Sequence, residues 1–261
     1  MKIRTLCTAA VLLVASLAPF ATAQEITVAA AADLQSAFQE VADRFHKETG
    51  KSVKLTFGSS GNFFAQIQNG APFDLFFSAD IDYPKKLETA GLTEPGTLYP
   101  YATGKIVLWT TNESKLDLGS GMKVLLDPSI KKIAIANPAH APYGRAAVAA
   151  MQHEKVYDQV APKFVMGENI SQTMTFVVSG SADVGIVALS LALSPALKGK
   201  GKYVEIPADA YPPIEQAAVV LKSSQNSAIA RQFLDFLKTP PMLDLLRTYG
   251  FSVPSNPPSS K

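Results

Sequence analysis

Short apolar runs that end in a small or polar turn and lead into an amphipathic stretch recur along this chain, and that phrase restricts it to βα units built on largely parallel sheets. Ile26-Thr27-Val28-Ala29-Ala30 reads as a first strand. Asp33 stands where it would cap a helix whose apolar residues Leu34, Phe38, Val41, Ala42 and Phe45 follow a period of about 3.6. Gly50 ends that helix, Ser52 to Phe57 is the second strand, and Phe63 to Gln68 is the second helix, stopped by Asn69-Gly70. Phe73 to Ser78 is apolar apart from Asp74, as befits a parallel strand covered on both faces.

Gly104 to Thr110 reads as one long strand leading out of this half, after Tyr99-Pro100-Tyr101. The phrase then returns. Ile133 to Ala136 is a strand, Asn137 to Tyr143 a loop, Gly144 to Gln152 a helix, and Phe164-Val165 a short strand. Asn169 caps a helix from Ser171 to Val178 that Gly180 ends, and Val184 to Leu189 is again a buried strand. Beyond Tyr211-Pro212-Pro213 come a strand, Gln216 to Leu221, and helices at Ile229 to Leu237 and Met242 to Thr248. Two such halves joined by extended crossings near residues 101–105 and 211–216 predict a cleft between two lobes, with a ligand outside the carboxyl ends of the strands. The division is residues 24–104 with 213–254 in lobe I and 105–212 in lobe II. A Pro- and Ser-rich disordered tail is expected at 255–261.

Lys2 and Arg4, the apolar run from Ala9 to Leu17 and then Ala21-Thr22-Ala23 have the form of a secretory signal, residues 1–23, with cleavage near Ala23. The run is too short to span a bilayer, so an exported, soluble product is expected. Cys7, the only cysteine, lies inside that leader, which leaves the mature chain without disulfide, thiolate nucleophile or Cys-ligated metal. Without Lys2 and Arg4 the mature chain carries 22 basic and 22 acidic residues. A neutral balance argues against nucleic acid as partner, since phosphates call for a basic surface.

Enzyme signatures are missing. Gly58-Ser59-Ser60-Gly61-Asn62 lacks the second glycine of a Gly-x-Ser-x-Gly nucleophile elbow. His46, His140 and His153 do not pair at ligand spacing, and read as two solvated helix residues and one loop residue. There is no Gly-rich phosphate loop of the nucleotide-binding kinds.

What recurs instead is a strand-to-helix turn with a small or polar residue at the helix start, at Ala32-Asp33, Ser59-Ser60-Gly61, Pro142-Tyr143-Gly144 and Asn169-Ile170-Ser171. Each is open to two readings, an ordinary helix cap or a seat for an anion on unpaired N–H groups at the positive end of the helix. A buried anion needs several such donors, because each charge-assisted bond returns only about 1.5–3 kcal/mol. Four turns facing one another would supply them.

On Ile26 to Leu34 (ITVAAAADL), Phe57 to Ile67 (FGSSGNFFAQI), Gly70 to Asp80 (GAPFDLFFSAD), Ala136 to Gly144 (ANPAHAPYG), Gly185-Ile186-Val187 and Tyr249-Gly250-Phe251, the chain resembles the periplasmic molybdate-binding proteins, solute receptors of ABC importers. The resemblance implies an α/β, two-lobe type II periplasmic-binding-protein fold, each lobe a mainly parallel sheet flanked by helices. It implies a periplasmic monomer that closes on molybdate or tungstate and partners an inner-membrane permease, with no cofactor, no catalytic residue and no direct metal-ion ligand. Matched by position, Ser60 would donate through hydroxyl and backbone N–H, Ile170 through its backbone N–H, and Tyr143 through its phenol. Ser59 and Asn169 are further candidates, and Ala188 falls where some members place a binding Tyr. Asp33 stands where many members have Ser or Asn, and a carboxylate there would repel a dianion. The expectation is that its side chain turns back to cap Gln35 or Ser36 while its N–H faces the ligand. A receptor of the same fold for sulfate, phosphate or an organic carboxylate is the alternative, with Arg145 the nearest residue for a carboxylate clamp; an exported hydrolase is the more distant one.

Overall fold

The computed structural model describes residues 25–254, so the leader and the tail expected from the sequence lie outside the described residues. In chain order the first part contains β1 (Glu25–Ala31), α1 (Gln35–Thr49), β2 (Ser52–Gly58), α2 (Ser60–Gln68), β3 (Leu75–Ser78), α3 (Asp82–Thr89) and β4 (Tyr99–Gly104). Next come β5 (Ile106–Thr111), β6 (Ile133–Ala136), α4 (Pro142–His153), α5 (Tyr157–Val160), β7 (Phe164–Gly167), α6 (Ile170–Val178), β8 (Val184–Ala188), α7 (Leu189–Ala192) and β9 (Gly201–Glu205). The chain ends with β10 (Ile214–Val220), α8 (Ser227–Leu237) and α9 (Pro240–Thr248).

These strands form two five-stranded sheets, ordered β2-β1-β3-β10-β4 and β7-β6-β8-β5-β9. Within the first, β1 runs parallel to β2 and β3, and β10 runs antiparallel to β3 and β4. In the second, β6 runs parallel to β7 and β8, and β5 runs antiparallel to β8 and β9. Each sheet therefore has a parallel core with antiparallel strands at one side, and the chain changes sheet at Lys105 and again between β9 and β10.

Residue choice explains the layers. Four consecutive alanines, Ala29 to Ala32, run from β1 into the turn and are almost fully buried, because small side chains let helices pack on both faces. On one face, Phe38 of α1 meets Phe77 edge-to-face at 4.8 Å, and Phe45 meets Phe233 of α8 at 5.1 Å. Gly50 takes φ 72° after α1 and returns its N–H to the His46 carbonyl, the left-handed stop that a side chain would disfavour. In the second sheet, the Trp109 ring of β5 packs on Gly201 of β9, where a Cβ would stand 2.1 Å from it.

Three sequence expectations change. The single strand over Gly104 to Thr110 is two strands in different sheets, broken at Lys105, because the chain leaves one lobe there and enters the other. Phe73 and Asp74 precede β3, and Asp74 instead accepts the Thr27 N–H at 2.7 Å and the Ser224 hydroxyl at 2.7 Å. Helix α3 and strand β9 are additions to the expected elements; Pro84 sits in the first turn of α3, where its missing N–H is harmless, and β9 is a polar edge strand.

Candidate functional site

The ends of β1, β2, β6 and β7 lead into the four strand-to-helix turns, and the turns meet between the lobes around a small cavity of about 10 Å³. Its lining includes Ala32-Asp33, Ser59-Ser60, Pro142-Tyr143 and Asn169-Ile170, one pair from each turn, and no Lys or Arg. Gly144 permits this approach, since a Cβ there would lie 2.1 Å from the Ala136 carbonyl oxygen at the end of β6.

Ser60 is fully buried at the start of α2, and its Oγ accepts the Ala79 N–H at 2.9 Å. That bond occupies an acceptor site and leaves the hydroxyl proton to be donated. The Ile170 N–H opens α6, a position with no intrahelical acceptor. Asn169 lines the cavity, but its side chain is used as a cap, accepting the Gln172 N–H at 3.0 Å. Ser59 also lines the cavity, with its hydroxyl 2.9 Å from the His140 ring. Ala188, the last residue of β8, pairs with Ile106 and is not part of the lining. Arg145 lies outside the cavity too, where it pairs with Asp80 and stacks over the Tyr83 ring at 5.8 Å.

Asp33 departs from expectation. It sits in a 3-10 turn, Ala32–Leu34, and its carboxylate caps nothing in α1. Oδ2 accepts Gln216 Nε2 at 2.7 Å and the Tyr143 hydroxyl at 2.9 Å, bonds that reach across the fold and outcompete a local cap in the buried setting. The Tyr143 phenol is thereby committed: it donates to Asp33 and accepts the second Gln216 N–H at 3.0 Å. Tyr143 thus faces the cavity without a free hydroxyl proton. Gln216 completes the chain by accepting the Tyr101 hydroxyl at 2.7 Å. All four residues are at most 2% exposed. Burial raises the Asp33 carboxyl to about 6, with the hydrogen bonds from Gln216 and Tyr143 and the dipole of its own backbone N–H only partly opposing it. Burial and the neighbouring Asp33 push the Tyr143 and Tyr101 phenols well above their ordinary value.

No local pattern marks Gln216 as part of a site. Its one available signal is a polar amide within the buried run of β10.

The lobes are closed on this cavity. Ser190 donates to the Asp33 carbonyl at 2.7 Å, Ser171 to Gln35 at 2.6 Å, and the Gly61 N–H to the His140 carbonyl at 2.9 Å. Every one of these bonds joins a residue of the first sheet's lobe to one of the second's.

Comparison with known proteins agrees with the architecture. Residues 26–252 match the family of bacterial extracellular solute-binding proteins. The molybdate-binding protein ModA of Rhodobacter capsulatus is 41% identical over 93% of this chain and 94% of its own length. The corresponding protein of Azotobacter vinelandii is 38% identical over 91% and 93%. The solved structure of the Azotobacter vinelandii periplasmic molybdate-binding protein superposes with a TM-score of 0.84 at 37% identity, covering 88% of this chain and 100% of that one. A sulfate-binding protein, SubI of Mycobacterium tuberculosis, shares the fold at a TM-score of 0.71 and 17% identity. The chain belongs to the bacterial extracellular solute-binding proteins, and the ModA molybdate-binding proteins are among its relatives within that family.

Proposed function

We propose that this protein captures molybdate, and also tungstate, between its lobes in the periplasm and delivers it to the permease of an ABC importer. The observation that carries the reading is a closed cavity built from four strand-to-helix turns and lined by no Lys or Arg. Neutral donors at helix starts hold a tetrahedral dianion through its oxygens, so nothing in the site ligates the metal atom itself. Ser60 gives a hydroxyl and a backbone N–H, Ile170 and Tyr143 give backbone N–H groups, and Asp33 completes the wall. Sulfate would accept the same donors, so selection against it falls to cavity size. The closed lobes, docked as a monomer, form the surface that a permease would meet.

The bare Oδ1 of Asp33 favours one rival, an oxyanion that brings its own proton, such as hydrogen phosphate. Thermal unfolding with molybdate, tungstate, sulfate and phosphate separates the readings. A ligand at a hundredfold excess over its Kd stabilises by about 2.7 kcal/mol. A large rise in Tm with molybdate and tungstate and little with the others is the expected result; an equal rise with sulfate or phosphate overturns it.

A further inference from the structure

Asp33 is fully buried against the cavity, yet only one of its two oxygens is bonded. Oδ2 accepts from Gln216 and from Tyr143, whereas Oδ1 has no partner among the described residues. Every proton of the surrounding network already has an acceptor: Tyr101 donates to Gln216 Oε1, the Gln216 amide donates to Asp33 and to Tyr143, and Tyr143 donates to Asp33. An ionised carboxyl would leave Oδ1 as a bare, buried acceptor on a residue that walls the cavity. A carboxylic acid fits the same geometry, with Oδ2 as the carbonyl oxygen taking two donors and Oδ1 as the hydroxyl with a proton to give.

We propose that Asp33 is a carboxylic acid in the loaded site, its Oδ1–H donating to the bound oxyanion, so that this chain takes up its ligand together with one proton from solvent. The inference rests on the oxyanion reading of the cavity. The surroundings agree with it. The Ala32–Leu34 turn packs on α1, β2, α6 and α7, and the Asp33 carboxyl also meets α4 and β10 through Tyr143 and Gln216. Helices α6 and α7 bear no charged residue, and neither Lys54 of β2, nor Glu40, Asp43, Arg44, His46, Lys47 and Glu48 of α1, nor Arg145 and His153 of α4, nor Glu215 of β10 contributes to the titration of Asp33. The ionisable groups coupled to it are the neutral phenols of Tyr101 and Tyr143. Burial already lifts its carboxyl to about 6 before any ligand enters, and a dianion at Oδ1 drives it further the same way.

Titration calorimetry with molybdate, repeated in buffers of different ionisation enthalpy at about pH 8, counts the protons. The wild-type protein is expected to take up about one proton per molybdate, and its affinity to fall about tenfold per pH unit between about pH 7 and 9. Asp33→Asn places an amide N–H where the Oδ1–H stood, so its proton uptake should vanish and its affinity stay flat over that range. Wild-type binding without proton uptake overturns the proposal and leaves the molybdate reading standing. Undiminished uptake in Asp33→Asn also overturns it, by assigning the proton elsewhere. Absence of molybdate binding at every pH overturns both. If Asp33→Asn fails to fold, the wild-type proton count decides alone.

Discussion

The Tyr143 hydroxyl donates to Asp33 Oδ2 at 2.9 Å, joining α4 of one lobe to the turn after β1 of the other through a fully buried phenol–carboxyl bond. Tyr143→Phe deletes that donor and also strips Gln216 of an acceptor. Because the bond favours the charged carboxylate, its loss raises the Asp33 carboxyl further. Thermal unfolding of Tyr143→Phe should show a loss of about 1.5–3 kcal/mol at pH above 6, where Asp33 is ionised, and a smaller one in acid. Equal losses at both pH values would contradict this coupling.

Ser60→Ala removes a hydroxyl whose acceptor side is already occupied by the Ala79 N–H. The ligand loses one charge-assisted bond, and Ala79 loses its acceptor. Molybdate affinity measured by calorimetry should fall by about 1.5–3 kcal/mol, or about 10- to 150-fold, with the fold kept.

Legibility in the sequence followed the range of the interaction. The βα phrase and the four turns are local, so apolar spacing and helix-start residues showed them, and the Asn169 cap needs only Gln172, three residues on. The site's polar network is not local. Asp33 finds its partners 110 and 183 residues away, so no window of sequence ties it to Tyr143 or Gln216, and the nearest helix start looked like its natural use. His140 reads as a plain loop residue, yet its ring reaches Ser59 and its carbonyl takes the Gly61 N–H from the opposite lobe. Such contacts exist only once the lobes close, which composition cannot express.

Gly61 tests that closure. A Cβ at this position would lie 2.7 Å from the His140 carbonyl oxygen across the cleft and 2.9 Å from the Tyr83 hydroxyl. The hydroxyl can swing aside, but the backbone of the other lobe cannot without opening the cleft. Gly61→Ala should weaken molybdate binding at least about tenfold, about 1.4 kcal/mol, mainly through faster dissociation in stopped-flow traces. Small-angle scattering should show the loaded variant more extended than the loaded wild type.

Arg145 and Asp80 form an ion pair between the lobes at the cleft's rim, with 40% and 23% of their side chains exposed. Exposure limits such a pair to about 1 kcal/mol. Arg145→Ala should therefore raise the dissociation rate by no more than about fivefold, and the difference from wild type should shrink in high salt. A loss of several orders of magnitude would instead place Arg145 on the ligand.

Asp33 also makes stability depend on pH without ligand. Its carboxyl titrates near 6 in the closed fold against an ordinary 3.8, so the folded state binds this proton more tightly than the unfolded chain. The stabilisation is fully present below pH 3.8 and is lost as pH rises through about 6. The span corresponds to about 3 kcal/mol for a fully buried group, less to the extent that the lobes open and hydrate it. Asp33→Asn keeps the neutral form at every pH, so its Tm should exceed that of the wild type at about pH 8 and converge with it towards about pH 4. A constant gap across that range would mean that the carboxyl stays in one protonation state throughout.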